Sequence, residues 1–120
     1  MARTDIPVTT VASINQQAAN SFDVAGTAAD TSNGNSFTVT GREMLLVENT
    51  DDDTAYTFTV ASAPDRLLRT ADIVNYSLNF GEKALLGPFP MEGWNNSGKV
   101  NLNASNAAIK FLPFRIPNTL

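Results

Sequence analysis

The chain has 120 residues, 42% of them hydrophobic and only 17% charged, and carries a net charge of −4 at neutral pH. A chain this long makes one compact domain that buries roughly two-thirds of its unfolded surface, and its eight scattered basic residues form no stripe for nucleic-acid phosphates. Cysteine and histidine are both absent, which excludes disulfides, thiolate nucleophiles, imidazole bases and the usual zinc ligand sets.

In chain order, Met1 to Pro7 contains no apolar run of signal-peptide length, and no later segment approaches the ~20 apolar residues of a membrane span. The expectation is a protein made in the cytoplasm, with no membrane partner. Ile6-Pro7-Val8-Thr9-Thr10-Val11 reads as one strand, and residues 12–35 are small and polar. Gln16-Gln17-Ala18-Ala19 has the composition of a helical turn but no apolar residues at a 3.6 period to anchor it. Residues 1–35 are therefore expected to form an extended N-terminal arm and a loose loop, followed by a folded domain over residues 36–120.

From Ser36 onward strand patterns recur. Phe37 and Val39 alternate with Ser36, Thr38 and Thr40, while Met44-Leu45-Leu46-Val47 is a continuous apolar run suited to a strand covered on both faces. After Asn49-Thr50-Asp51-Asp52-Asp53-Thr54, Tyr56, Phe58 and Val60 alternate with Thr57 and Thr59, so the acidic run reads as a solvated hairpin turn. Val74, Tyr76, Leu78 and Phe80 alternate with Asn75, Ser77 and Asn79, and Gly81-Glu82-Lys83 leads into Ala84-Leu85-Leu86, a second expected hairpin. A third is expected where Lys99 to Asn103 turns through Ala104-Ser105-Asn106 into Ala107 to Leu112, with an edge-like tail at Leu112 to Pro117.

Seven or eight short strands, 13 Asn and 13 Thr, and almost no helical periodicity specify an all-β chain. A single β-sandwich of jelly-roll-like or immunoglobulin-like topology is the economical architecture. Its expected core is Phe37, Val39, Leu45, Val47, Tyr56, Phe58, Val60, Val74, Tyr76, Leu78, Phe80, Leu85, Val100, Leu102, Ile109 and Phe111.

Residues with chemical potential are few. Asp51, Asp52 and Asp53 lack the alternate spacing, the glycine and the distal Glu of a calcium loop. Glu43 and Glu48 stand an odd number of residues apart on one strand, hence on opposite faces rather than as a catalytic pair. Arg66 and Arg69, with Asp65 and Asp72 nearby, read as surface ion pairs or as contacts to an acidic partner. Trp94 lies among turn residues and admits two readings: an exposed ring that stacks on a sugar or a partner, or a cap on the open end of the sandwich. No phosphate-binding glycine loop and no nucleophile elbow occurs. The chain is thus expected to have no catalytic residues, metal or cofactor.

Three stretches, Ala2 to Thr10, Thr40 to Thr50 and Gly87-Pro88-Phe89-Pro90, resemble small virion proteins of tailed phages, of the capsid decoration or cement type. The resemblance implies a sandwich or jelly-roll module that binds the outside of an assembled head and staples neighbouring major capsid subunits. It implies a location on the capsid exterior and a dimer or trimer, with Ile6, Pro7 and Val8 as the clamp. A different class, a carbohydrate- or receptor-binding module of a virion fibre, would use Trp94 instead.

Overall fold

The computed structural model describes residues 3–10, 24–64, 67 and 72–115. Among these residues ten strands carry the fold: β1 (Thr4–Asp5), β2 (Thr9–Thr10), β3 (Thr27–Ala28), β4 (Asn35–Thr38), β5 (Glu43–Asn49), β6 (Tyr56–Ala61), β7 (Ile73–Leu78), β8 (Lys83–Phe89), β9 (Lys99–Ala104) and β10 (Ile109–Arg115). No helix occurs among the described residues. Two mixed sheets pack face to face, one in the order β1-β4-β9-β6-β7 and the other β2-β10-β5-β8, with β3 also paired to β10. The all-β class and the sandwich-like layering follow from the alternation in the sequence.

The inner faces make one core. Phe37, Phe58, Val60, Leu78, Val100 and Leu102 come from the first sheet, and Leu45, Val47, Phe89, Ile109 and Phe111 from the second. Phe58 meets Phe111 edge-on across the sheets, with ring centroids 6.4 Å apart, and Phe37 meets Phe89 at 5.7 Å. Each large side chain so buried stabilises the fold by roughly 1.5–3 kcal/mol.

The connections differ from the expected hairpins. β5 and β6, β7 and β8, and β9 and β10 each lie in different sheets, so all three turns are arches that carry the chain from one layer to the other. Among the described residues, only β6 and β7 are both consecutive in the chain and paired with each other. Buried Asn49 holds two of the arches together: its Nδ2 donates to the carbonyls of Thr54 and Leu78, both at 2.9 Å, and its Oδ1 accepts from the Asp51 amide at 3.0 Å.

Four expected core residues lie elsewhere. A bulge opposite Thr59 places Asn75 at φ 50° and shifts the register, so Phe58 faces Tyr76 while Val60 faces Ile73. Ile73 thereby replaces Val74 on the inner face, and Val74 is 61% exposed. Tyr76 stays on the side of Phe58, but at a sheet edge it is only half covered, and Phe80 lies in the turn beyond the strand. Along β8 the parity is reversed: Ala84 and Leu86 oppose Val47 and Leu45, so Leu85 points outward.

The segment from Thr4 to Thr10 belongs to the sandwich. β1 runs parallel to β4 in the first sheet and β2 parallel to β10 in the second. Ile6, 2% exposed, joins the core between them. The Arg3 guanidinium fastens this crossing by donating to the carbonyls of Leu102 and Asn35 and to Asn103 Oδ1. Gly34, at φ +77°, leaves the space the guanidinium occupies, because a β-carbon there would collide with it. Gln16 to Ala19, and the tail beyond Arg115, lie outside the described residues.

Candidate functional site

Glu43 is the one acidic residue fully buried among those described. It sits on the inner face of β5, directly opposite Arg115 of β10, whose Nε donates to its Oε2 at 2.5 Å. Its carboxylate also accepts from the Thr40 amide (2.6 Å), the Thr40 hydroxyl (2.7 Å) and the Arg42 amide (3.3 Å). Burial alone would push this carboxyl up, but the Thr40 donors and Arg115 outweigh it and hold the pKa at about 2. A carboxylate with its lone pairs so engaged is a clasp between the β4–β5 arch and β10, and it has no proton to give or take near neutrality. Glu48 stands on the opposite face and pairs with Lys83 at 3.4 Å.

Asp51, Asp52 and Asp53 bring carboxylate oxygens within 4.8 Å of one another. Their hydrogen bonds point to a turn: Asp51 Oδ2 accepts from the amides of Asp53 and Thr54, and Asp53 Oδ1 from the Thr54 hydroxyl. The Asp53 and Thr54 donors hold the Asp51 carboxyl below the usual range. Asp72 is lowered too, by the hydroxyl and amide of Ser62. Arg66 and Arg69 lie outside the described residues.

Trp94 lies beside the core. It is half-buried, packs against the core, and meets Phe89 edge-on with ring centroids 5.2 Å apart. Of the three residues of the expected clamp, Ile6 is spent on the chain's own core, Val8 packs against it, and Pro7 is exposed.

The two outer faces are chemically unlike. On the sheet β1-β4-β9-β6-β7, the residues alternating with the core are Ser36, Thr38, Asn101, Asn103, Thr57, Thr59 and Ser77, with charge from the Lys99–Asp5 pair at 2.6 Å and from Arg3, whose guanidinium reaches Asn103 Oδ1. On the sheet β2-β10-β5-β8, cross-strand neighbours put Leu112, Leu46 and Leu85 in one row and Phe114 and Met44 in the next. Leu85 is 61% exposed and the other four are half-buried. Glu48, Lys83 and Lys110 border these rows. The run Met44 to Val47 therefore has one core-facing pair and one outward pair, where the sequence suggested cover on both sides. The missed signal was Leu85, whose outward parity follows once β8 is paired to β5.

No protein-family model, no curated protein and no solved structure matches this chain.

Proposed function

We propose that this chain is a capsid decoration protein of a tailed phage, which docks on the outer surface of the assembled head and staples neighbouring major capsid subunits. The observation that supports it most is the apolar outer face formed by Met44, Leu46, Leu85, Leu112 and Phe114. A two-sheet sandwich needs one apolar face per sheet to fold. A second apolar face adds nothing to that core and suits contact with another protein. The buried carboxylate at Glu43 is engaged structurally, which favours binding over catalysis. Within this reading the sandwich is jelly-roll-like or immunoglobulin-like, the protein is a dimer or trimer on the shell, and exposed Pro7 on the β1–β2 segment adds to the contact.

Co-sedimentation with purified phage heads tests the proposal. The wild-type chain pellets with heads, and the double variant Leu85→Ser, Leu112→Ser loses at least tenfold in occupancy while keeping its fold by circular dichroism. Equal occupancy of the two proteins removes the apolar face from the reading, and no pelleting of the wild type overturns the decoration role itself.

A further inference from the structure

The polar outer face holds a depression of about 180 Å³ lined by Thr57, Thr59, Asn75, Asn103, Ala104 and Ser105, together with Phe58. It lies where the bulge in β7 opens the edge of the sheet beside β6, with β9 on the other side. From these groups we infer a binding site for a neutral sugar ring, separate from the apolar docking face and independent of the decoration reading.

The hydrogen-bonding state of each lining group defines what it offers. Thr59 Oγ1 accepts from the Asn75 amide at 3.0 Å and Ser105 Oγ accepts from the Thr57 amide at 3.0 Å. Each hydroxyl proton is thus free to point to a ligand. Asn103 Oδ1 is taken by the Arg3 guanidinium at 2.9 Å, which leaves its Nδ2 as a donor. The Asn75 side-chain amide and the Thr57 hydroxyl make no hydrogen bond to another described residue. Three donors, held by backbone or guanidinium bonds made before any ligand arrives, therefore converge with two groups able to accept.

No charged side chain lines the depression among the described residues: without a carboxylate a metal ion finds no counter-charge there, and the nearby Arg3 guanidinium is engaged by Asn103 Oδ1 and the carbonyls of Leu102 and Asn35. An apolar ligand would leave five polar groups unpaired. A polyol, with hydroxyls that both donate and accept, matches the set. The volume is below the roughly 300 Å³ at which drug-sized sites begin, which limits the occupant to one ring. Asn75 adds a local sign: it holds φ 50°, outside the usual range for a residue with a side chain, and Thr59 fixes its backbone there.

The test is amide chemical-shift titration of the intact chain with the methyl glycosides of glucose, galactose, mannose and N-acetylglucosamine, and with glucuronate as the charged comparator. At least one neutral glycoside is expected to give saturable shifts confined to residues 57–59, 75 and 103–105, with millimolar affinity. Thr57→Val, which keeps every backbone bond, and Asn75→Gly, which accepts the same φ, are each expected to weaken that affinity at least fivefold with an unchanged spectrum elsewhere. The inference is overturned if no neutral glycoside saturates, if only glucuronate binds, or if both variants bind as the wild type does. Head binding by the apolar face is measured apart, so failure of either reading leaves the other standing.

Discussion

The two sheets share one core yet present opposite exteriors: amides and hydroxyls over β4, β9 and β6, against leucine, methionine and phenylalanine over β5, β8 and β10. Inner faces carry the fold, and there the two sheets are alike. Outer faces are released from that task, so their difference reports on what each side meets. The polar face is at ease in water and holds a depression beside the β7 bulge. The apolar face costs solubility without strengthening the core, and the proposed docking on another protein rests on that combination.

The comparison can be broken first at the clasp that spans both layers. Glu43→Gln keeps the shape but leaves Arg115 without its buried partner, and is expected to cost about 3 kcal/mol by urea denaturation. Both sheets should still unfold in one transition, because they share the core. Two separate transitions would show that the faces belong to independent units.

Acid gives a second form of the same test. Glu43 has a folded pKa of about 2 against an ordinary 4.5, a depressed value. Its contribution is therefore complete above pH 4.5 and is lost as pH falls from there toward 2. Asp30, whose carboxylate accepts from the Thr4 hydroxyl and the Asn33 and Ser32 amides, is also lowered, as are Asp51 and Asp72, and all three fade in the same direction. Glu43→Gln should flatten part of that loss; an unchanged pH profile of stability would mean that Arg115 and Thr40 do not hold the charge.

Smaller effects separate the arches from the faces. Asp51→Ala removes the acceptor for two turn amides and is expected to cost about 1 kcal/mol. Calcium should leave the melting temperature of the wild type where it was, and a rise would make the acidic turn a metal site. Leu85→Ser on the apolar face should change stability by no more than about 0.5 kcal/mol, while weakening association measured by sedimentation. Ser77→Ala on the polar face is the smallest change, expected to alter neither stability nor association; if it disrupts association as Leu85→Ser does, the two exteriors are not functionally distinct.

Much of the fold was legible in the residues themselves. Phe37, Leu45, Val47, Phe58, Val60, Leu78, Val100, Leu102, Ile109 and Phe111 were expected inside from alternation and are inside. Leu85 was misplaced because Ala84-Leu85-Leu86 offers apolar residues at both parities, and only its pairing partner chooses between them. Val74 was misplaced because the bulge at Asn75 inserts a residue that no period-two pattern announces. Ile6 looked like a clamp for a partner because a short strand near a chain end carries no sign of where its apolar side chain goes. The depression beside β6 was equally hidden, since Thr57, Asn75 and Ser105 meet only through cross-strand register.

By itself the sequence determined the all-β class, the positions of the main strands, and which residue types are absent. These are local properties, written in alternation, turn residues and composition. Tertiary structure decided which strand lies beside which. In the turn from Asn49 to Thr54, the amides of Asp51, Asp53 and Thr54 are met by the turn's own side chains whether the strands it joins pair in one sheet or arch between two. The choice falls to distant partners: β10 and β8 claim β5, and β9 and β7 claim β6. Those pairings turned three expected hairpins into arches, and they set which side chains form the apolar and polar exteriors.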